Sequence, residues 1–113
     1  MKIIKYEEKY RDDMIFMILE AKNALGRVPG LNEDLLNIKK NYLDVGDMFW
    51  LAIDEQDRVS GSIGYNSIRD TDEVWLHRLF VKYNLKRQGI GSALLEMAEN
   101  YIANQGKKVA KIF

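Results

Sequence analysis

The run Lys86-Arg87-Gln88-Gly89-Ile90-Gly91-Ser92 joins positive charge to residues that leave room for a ligand. Glycine lets a bound group lie against backbone. A helix start offers N–H groups with no acceptor inside the helix, and a partial positive charge with them. Gly89 and Gly91, with Lys86 and Arg87 beside them, therefore suit a pyrophosphate. Other glycine-loop chemistries fit less well. No Gly-Lys-Ser/Thr is present, which excludes a P-loop, and the third glycine of a dinucleotide fingerprint would fall at Leu94. An ordinary loop before an ordinary helix is the competing reading of so short a pattern.

The elements around this run are those that would position it. Leu79-Phe80-Val81 reads as the end of a strand covering 73–81. Residues 89–104 read as an amphipathic helix, with Ile90, Leu94, Met97, Ala98 and Tyr101 at helical spacing and Gly106 as its stop. Upstream, residues 2–6 read as a strand and 10–25 as a helix carrying Met14, Met17, Ile18, Ala21 and Leu25 on one face. Gly26-Arg27-Val28-Pro29-Gly30 is a loop. A second helix is expected after it, capped by Asn32, favoured by Glu33 and Asp34, and buried along Leu35, Ile38 and Tyr42. Strands follow at 48–54 and 59–68, the latter with Gly61 and Gly64 inside it, where glycine signals a bulge or a close approach. Short polar turns at 55–58 and 69–72 argue for antiparallel hairpins. A last strand over 107–113, reached through a helix, argues for a parallel crossover. The order is β-α-α-β-β-β-α-β: an α+β fold with a mixed, mostly antiparallel sheet flanked by helices.

At 113 residues the chain is expected to be a single domain, 1–113, with a core that needs no disulfide. There is no cysteine and one histidine, His77, so thiolate catalysis and histidine- or cysteine-rich metal sites are excluded; no metal is expected. Lys+Arg and Asp+Glu both number 17, so no overall basic field points to nucleic acid. No signal peptide or membrane span is visible, and the expectation is a cytoplasmic protein without a membrane partner.

The motif Lys86-Arg87-Gln88-Gly89-Ile90-Gly91, with Ser92-Ala93-Leu94-Leu95 after it, resembles motif A of the GCN5-related N-acetyltransferases, whose signature is Gln/Arg-x-x-Gly-x-Gly/Ala. Leu79-Phe80-Val81 resembles that family's fourth strand. Met48-Phe49-Trp50-Leu51-Ala52-Ile53 and Val59-Ser60-Gly61-Ser62-Ile63-Gly64 resemble its second and third. Lys86 stands where Gln or Arg is usual, keeping charge without a planar fork.

The resemblance implies an acyl-CoA N-acyltransferase-like fold and an N-acetyltransferase that moves an acetyl group from acetyl-CoA to a primary amine by direct attack in a ternary complex. It implies that Leu79, Phe80 and Val81 align the pantetheine arm and that residues from Lys86 through Arg87, Gln88, Gly89, Ile90 and Gly91 to Ser92 hold the pyrophosphate. It also implies that 25–32 borders the acceptor; Arg27 there reads either as a solvated loop arginine, the favoured reading, or as the partner of an acidic substrate. Glu73 and His77 are the candidates for removing the amine proton; a solvated turn residue and a packed histidine are their other readings. His77 is expected on the same strand face as Trp75, Leu79 and Val81. The family's usual last helix and strands lie beyond the match. This leaves a second expectation open: a non-catalytic, coenzyme A-binding or dimerising module, pairing as a homodimer through an open sheet edge. The acceptor is otherwise a small-molecule or peptide amine.

Overall fold

The computed structural model describes residues 1–26, 32–85 and 88–112, and for residues 110 and 111 the backbone alone. The strands are β1 Lys2–Lys5, β2 Met48–Ile53, β3 Val59–Ser67, β4 Glu73–Val81 and β5 Lys108–Ile112. They form one sheet in the order β1-β2-β3-β4-β5. β1 through β4 pair antiparallel and β5 pairs parallel to β4, so the sheet is mixed and mostly antiparallel, as expected. Helix α1 spans Arg11–Ala24 and α2 spans Ile90–Asn104. Among the described residues no helix is long and apolar enough to cross a membrane.

Each helix covers one face of the sheet. Met14, Met17 and Ile18 of α1 bury against Phe49, Leu51 and Ile53. Ile90, Leu94, Ala98 and Ile102 of α2, four residues apart, bury against Trp50, Ala52, Ile63 and Leu76. Because both faces are covered, β2 is apolar at every position instead of alternating. The glycines of β3 permit the close packing. A Cβ on Gly61 would lie 2.8 Å from Leu94 and 2.9 Å from Ile90, on the α2 face. One on Gly64 would lie 3.1 Å from Tyr42 and 3.2 Å from Phe49, on the other face.

Residues 33–43 are not one capped helix. They form a tight turn at Glu33–Leu36 and a wide turn at Lys39–Leu43, separated by a non-helical Asn37. In the wide turn the Asp44 N–H reaches back to the Lys39 carbonyl at 2.7 Å, and just beyond it the Asp47 N–H reaches the Tyr42 carbonyl at 2.8 Å. The Asn32 side chain does not cap; it accepts from Lys22 Nζ at 3.0 Å. Leu35, Ile38 and Tyr42 are nonetheless buried as expected. Burial of that stripe and the bonds of Asp34 described below decide the backbone here, because so short a segment has little helical preference of its own.

β4 carries an extra residue. Ser62 pairs with Phe80 and Gly64 with His77, so β3 advances two residues where β4 advances three. The surplus is absorbed at Arg78, whose φ of 57° is left-handed. This corrects the expected strand face. His77 does share a face with Trp75, but Leu79 and Val81 pack on the α2 side, while His77 and Arg78 both look toward the 33–43 segment.

Candidate functional site

β5 pairs with β4 only over Glu73–Leu76. Beyond that, along His77–Val81, no strand of the described residues lies against this edge, and those backbone groups that neither β3 nor the Ser62 hydroxyl engages are open to a guest strand or ligand. The open edge runs to the start of α2. There Gly89 adopts a left-handed φ of 80° and its carbonyl accepts the first helical bond, from Ala93 N–H at 3.0 Å. The N–H groups of Ile90, Gly91 and Ser92 precede any acceptor the helix can offer. A Cβ on Gly89 would meet nothing within 4 Å, and one on Gly91 would be 3.5 Å from Val81, so the loop mouth is uncrowded.

Between this edge and the helix start lies a cleft of about 350 Å³. Leu79, Phe80, Val81, Gly89, Ile90, Gly91 and Ser92 line it, which brings together seven of the residues singled out from sequence. Gln88 is exposed beside it, and Lys86 and Arg87 lie outside the described residues. Ala21, Leu25 and Leu85 complete the wall. Sequence reasoning gave Ala21 and Leu25 only as part of a helical stripe, and Leu25 to the acceptor side. Arg27 lies outside the described residues.

Across the bulge from this cleft is a second one of about 740 Å³. Its walls include Asp47, Asn66, Trp75, His77 and Arg78. Behind it the Arg78 guanidinium donates to Asp34 through Nε at 3.1 Å and Nη2 at 3.0 Å. The Tyr42 hydroxyl donates to the same carboxylate and stands 3.4 Å from His77 Nε2. The Ser62 hydroxyl donates to the Arg78 carbonyl at 2.9 Å. Burial opposes ionisation of Asp34, but the bonds from Arg78 and Tyr42 outweigh it and hold the carboxyl below its ordinary value. Burial and the Asp34 carboxylate push the Tyr42 hydroxyl well up, so it stays protonated. Burial, then the Arg78 charge, push His77 below its ordinary value, with Asp34 and Asp47 partly opposing. The imidazole is therefore neutral and can accept a proton near neutral pH.

His77 thus lines the second cleft, whereas Glu73 lines neither. Glu73 opens β4 beside Lys108, five residues and about 17 Å of strand from Arg78. Sequence reasoning missed Asp34, Tyr42, Asp47 and Arg78. Asp34 had read as a helix-start charge, and nothing local marks its bond to a residue 44 positions away.

Residues 9–112 match the acetyltransferase (GNAT) family. A probable N-acetyltransferase 14 of Xenopus tropicalis is 27% identical over 94 residues, 82% of this chain and 43% of that one. The chain therefore spans less than half the length of this curated relative. A GNAT-family acetyltransferase of Staphylococcus aureus Mu50 superposes with a TM-score of 0.83 at 29% identity, over 94% of this chain and 68% of that one. PaiA N-acetyltransferase of Thermoplasma acidophilum, solved in complex with coenzyme A, shares the fold with a TM-score of 0.74 at 20% identity, over 94% and 74%.

Proposed function

The chain belongs to the acetyltransferase (GNAT) family, and on that premise we propose that it transfers an acetyl group from acetyl-CoA to a primary amine by direct attack in a ternary complex. The observation that carries this reading is the cleft joining the open edge of β4 to the start of α2. An extended pantetheine arm is matched by the free backbone groups along His77–Val81, as an added strand would be. A pyrophosphate is matched by the Ile90, Gly91 and Ser92 amides. The cleft volume is of the size that holds part of such a ligand, the remainder lying over the loop.

The thioester would then lie at the Arg78 bulge, with the second cleft on its far side for the amine. Attack forms the C–N bond and breaks the C–S bond. The amine gives up a proton, and the leaving sulfur gains one. His77, kept neutral, is our candidate for taking the amine proton, directly or through water. Most of the acceleration would come from holding donor and amine together at the bulge.

Thermal shift with acetyl-CoA, followed by thiol release with a panel of amines, tests the reading. At 100 times its dissociation constant the ligand should add about 2.7 kcal/mol of stability. Gly89→Val should lose this shift while remaining folded. Its Cβ has space, the left-handed φ of 80° costs about 1–2 kcal/mol, and the branched side chain stands over the amides. An undiminished shift in that variant would remove the loop from the site. A shift with no thiol release from any amine would favour the non-catalytic coenzyme A-binding module.

A further inference from the structure

The second cleft contains a carboxylate that no cation of the described residues pairs with directly. Asp47 is only 9% exposed. Its Oδ2 accepts from Asn66 Nδ2 at 2.9 Å and its Oδ1 from the Ser67 N–H at 3.0 Å, both neutral donors. Among the described residues it has no ion-pair partner. Two partly buried carboxylates are treated differently: Asp13 meets Arg58 at 2.6 Å and Asp34 meets Arg78 at 3.0 Å. A buried carboxylate is costly without a counter-charge, and two neutral donors leave half of its acceptor capacity unused.

Asp47 is tied to Asn66 and Ser67, whose partners across the sheet are Trp75 and Val74. Trp75 is three residues before Arg78, about 10 Å along the strand. Between them the cleft offers apolar wall from Val45, Ile68 and Trp75. Arg69 is a further cation on this wall, exposed at the rim, where solvent screens it; the Lys107 ammonium nearby is engaged by the Ser67 hydroxyl at 3.1 Å.

From this arrangement we infer that the acceptor carries two basic nitrogens about 10 Å apart: one presented at the Arg78 bulge for acetylation, the other bound as a cation by Asp47. The inference rests on the acetyl-transfer reading for the first nitrogen and on Asp47 alone for the second. The ammonium donates to the free carboxylate lone pairs and supplies the missing positive charge. Its aliphatic stem lies along Val45, Ile68 and Trp75.

The full chain is titrated with diaminooctane, octylamine and aminooctanoate without coenzyme, and then assayed with each for thiol release from acetyl-CoA. Diaminooctane should bind at least tenfold more tightly than octylamine, and Asp47→Asn should reduce that ratio to about one while leaving octylamine unchanged. Asp47→Glu, which keeps the charge, should retain the preference, and serves if Asp47→Asn does not fold. A preference that survives in Asp47→Asn overturns the inference. So does equal binding, no binding of any of the three, or a preference for aminooctanoate, which would make Arg69 the reader of an anionic end. The two assays fail separately. An Asp47-dependent preference without thiol release sinks acetyl transfer and spares the cation seat. Thiol release with no Asp47-dependent discrimination does the reverse.

Discussion

Arg78 holds a left-handed backbone that residues with a Cβ adopt at a cost of about 1–3 kcal/mol. Three contacts maintain it: the paired bonds to Asp34, the Tyr42 hydroxyl behind that carboxylate, and the Ser62 hydroxyl on the Arg78 carbonyl. The ion pair is about a quarter exposed on each side, so solvent screens part of its strength. Removing one partner still leaves a half-buried charge and an idle phenol. Asp34→Ala should therefore cost about 2 kcal/mol in urea unfolding, against less than about 1 kcal/mol for Asp44→Ala at the exposed Lys39 pair. Equal costs for the two would show that the Asp34 network contributes no more than a surface charge pair.

At the scale of elements, Gly61 sets the distance between α2 and the sheet. Gly61→Ala would bring a methyl against fully buried Leu94, against Ile90, and 3.2 Å from the Phe80 carbonyl. The expected cost is about 1–3 kcal/mol in denaturant unfolding, with α2 displaced at the end that meets the cleft, so affinity for acetyl-CoA should fall as well. Unchanged stability would mean the helix has slack there. This glycine also shows what was legible beforehand. Its place inside a strand announced a close approach, and the strands, both long helices and the parallel crossover followed from periodicity and polar turns. Leu79–Val81 and Gly89–Ser92 meet at one cleft because adjacent elements carry them. The second cleft was illegible because its parts are joined across the sheet. Asp34 meets Arg78, and Asp47 meets Asn66 and Ser67, through contacts that leave no local spacing. The division of 33–43 into two turns was hidden for the same reason.

For the whole molecule, the shifted groups fix how stability responds to acid. His77 is lowered from 6.5 in the fold, and Asp13 and Asp34 are lowered from 3.8. In each case the unfolded chain takes up the proton first, so the contribution is complete above the ordinary value and lost as pH falls through the folded one. Melting temperature should be level from about pH 7 up to the approach of pH 10, where the raised Tyr6 and Tyr42 begin to cost stability; it should decline as pH drops below 6.5, and decline again below 3.8. His77→Gln should flatten the first decline and leave the second; Asp34→Asn should make the second shallower. A wild-type profile without the first decline would mean that His77 takes up protons equally well folded and unfolded. The odd residue in β4 has a consequence of its own. A strand alternates strictly, so one surplus position acts as a phase slip: before Arg78 the even-numbered side chains address one hemisphere of the protein, and after it the odd-numbered ones do. Were the strand to alternate regularly through Arg78, with no residue removed, the inner and outer assignments of Leu79, Phe80 and Val81 would exchange at once, turning a coenzyme-facing ribbon inside out without altering any of the three.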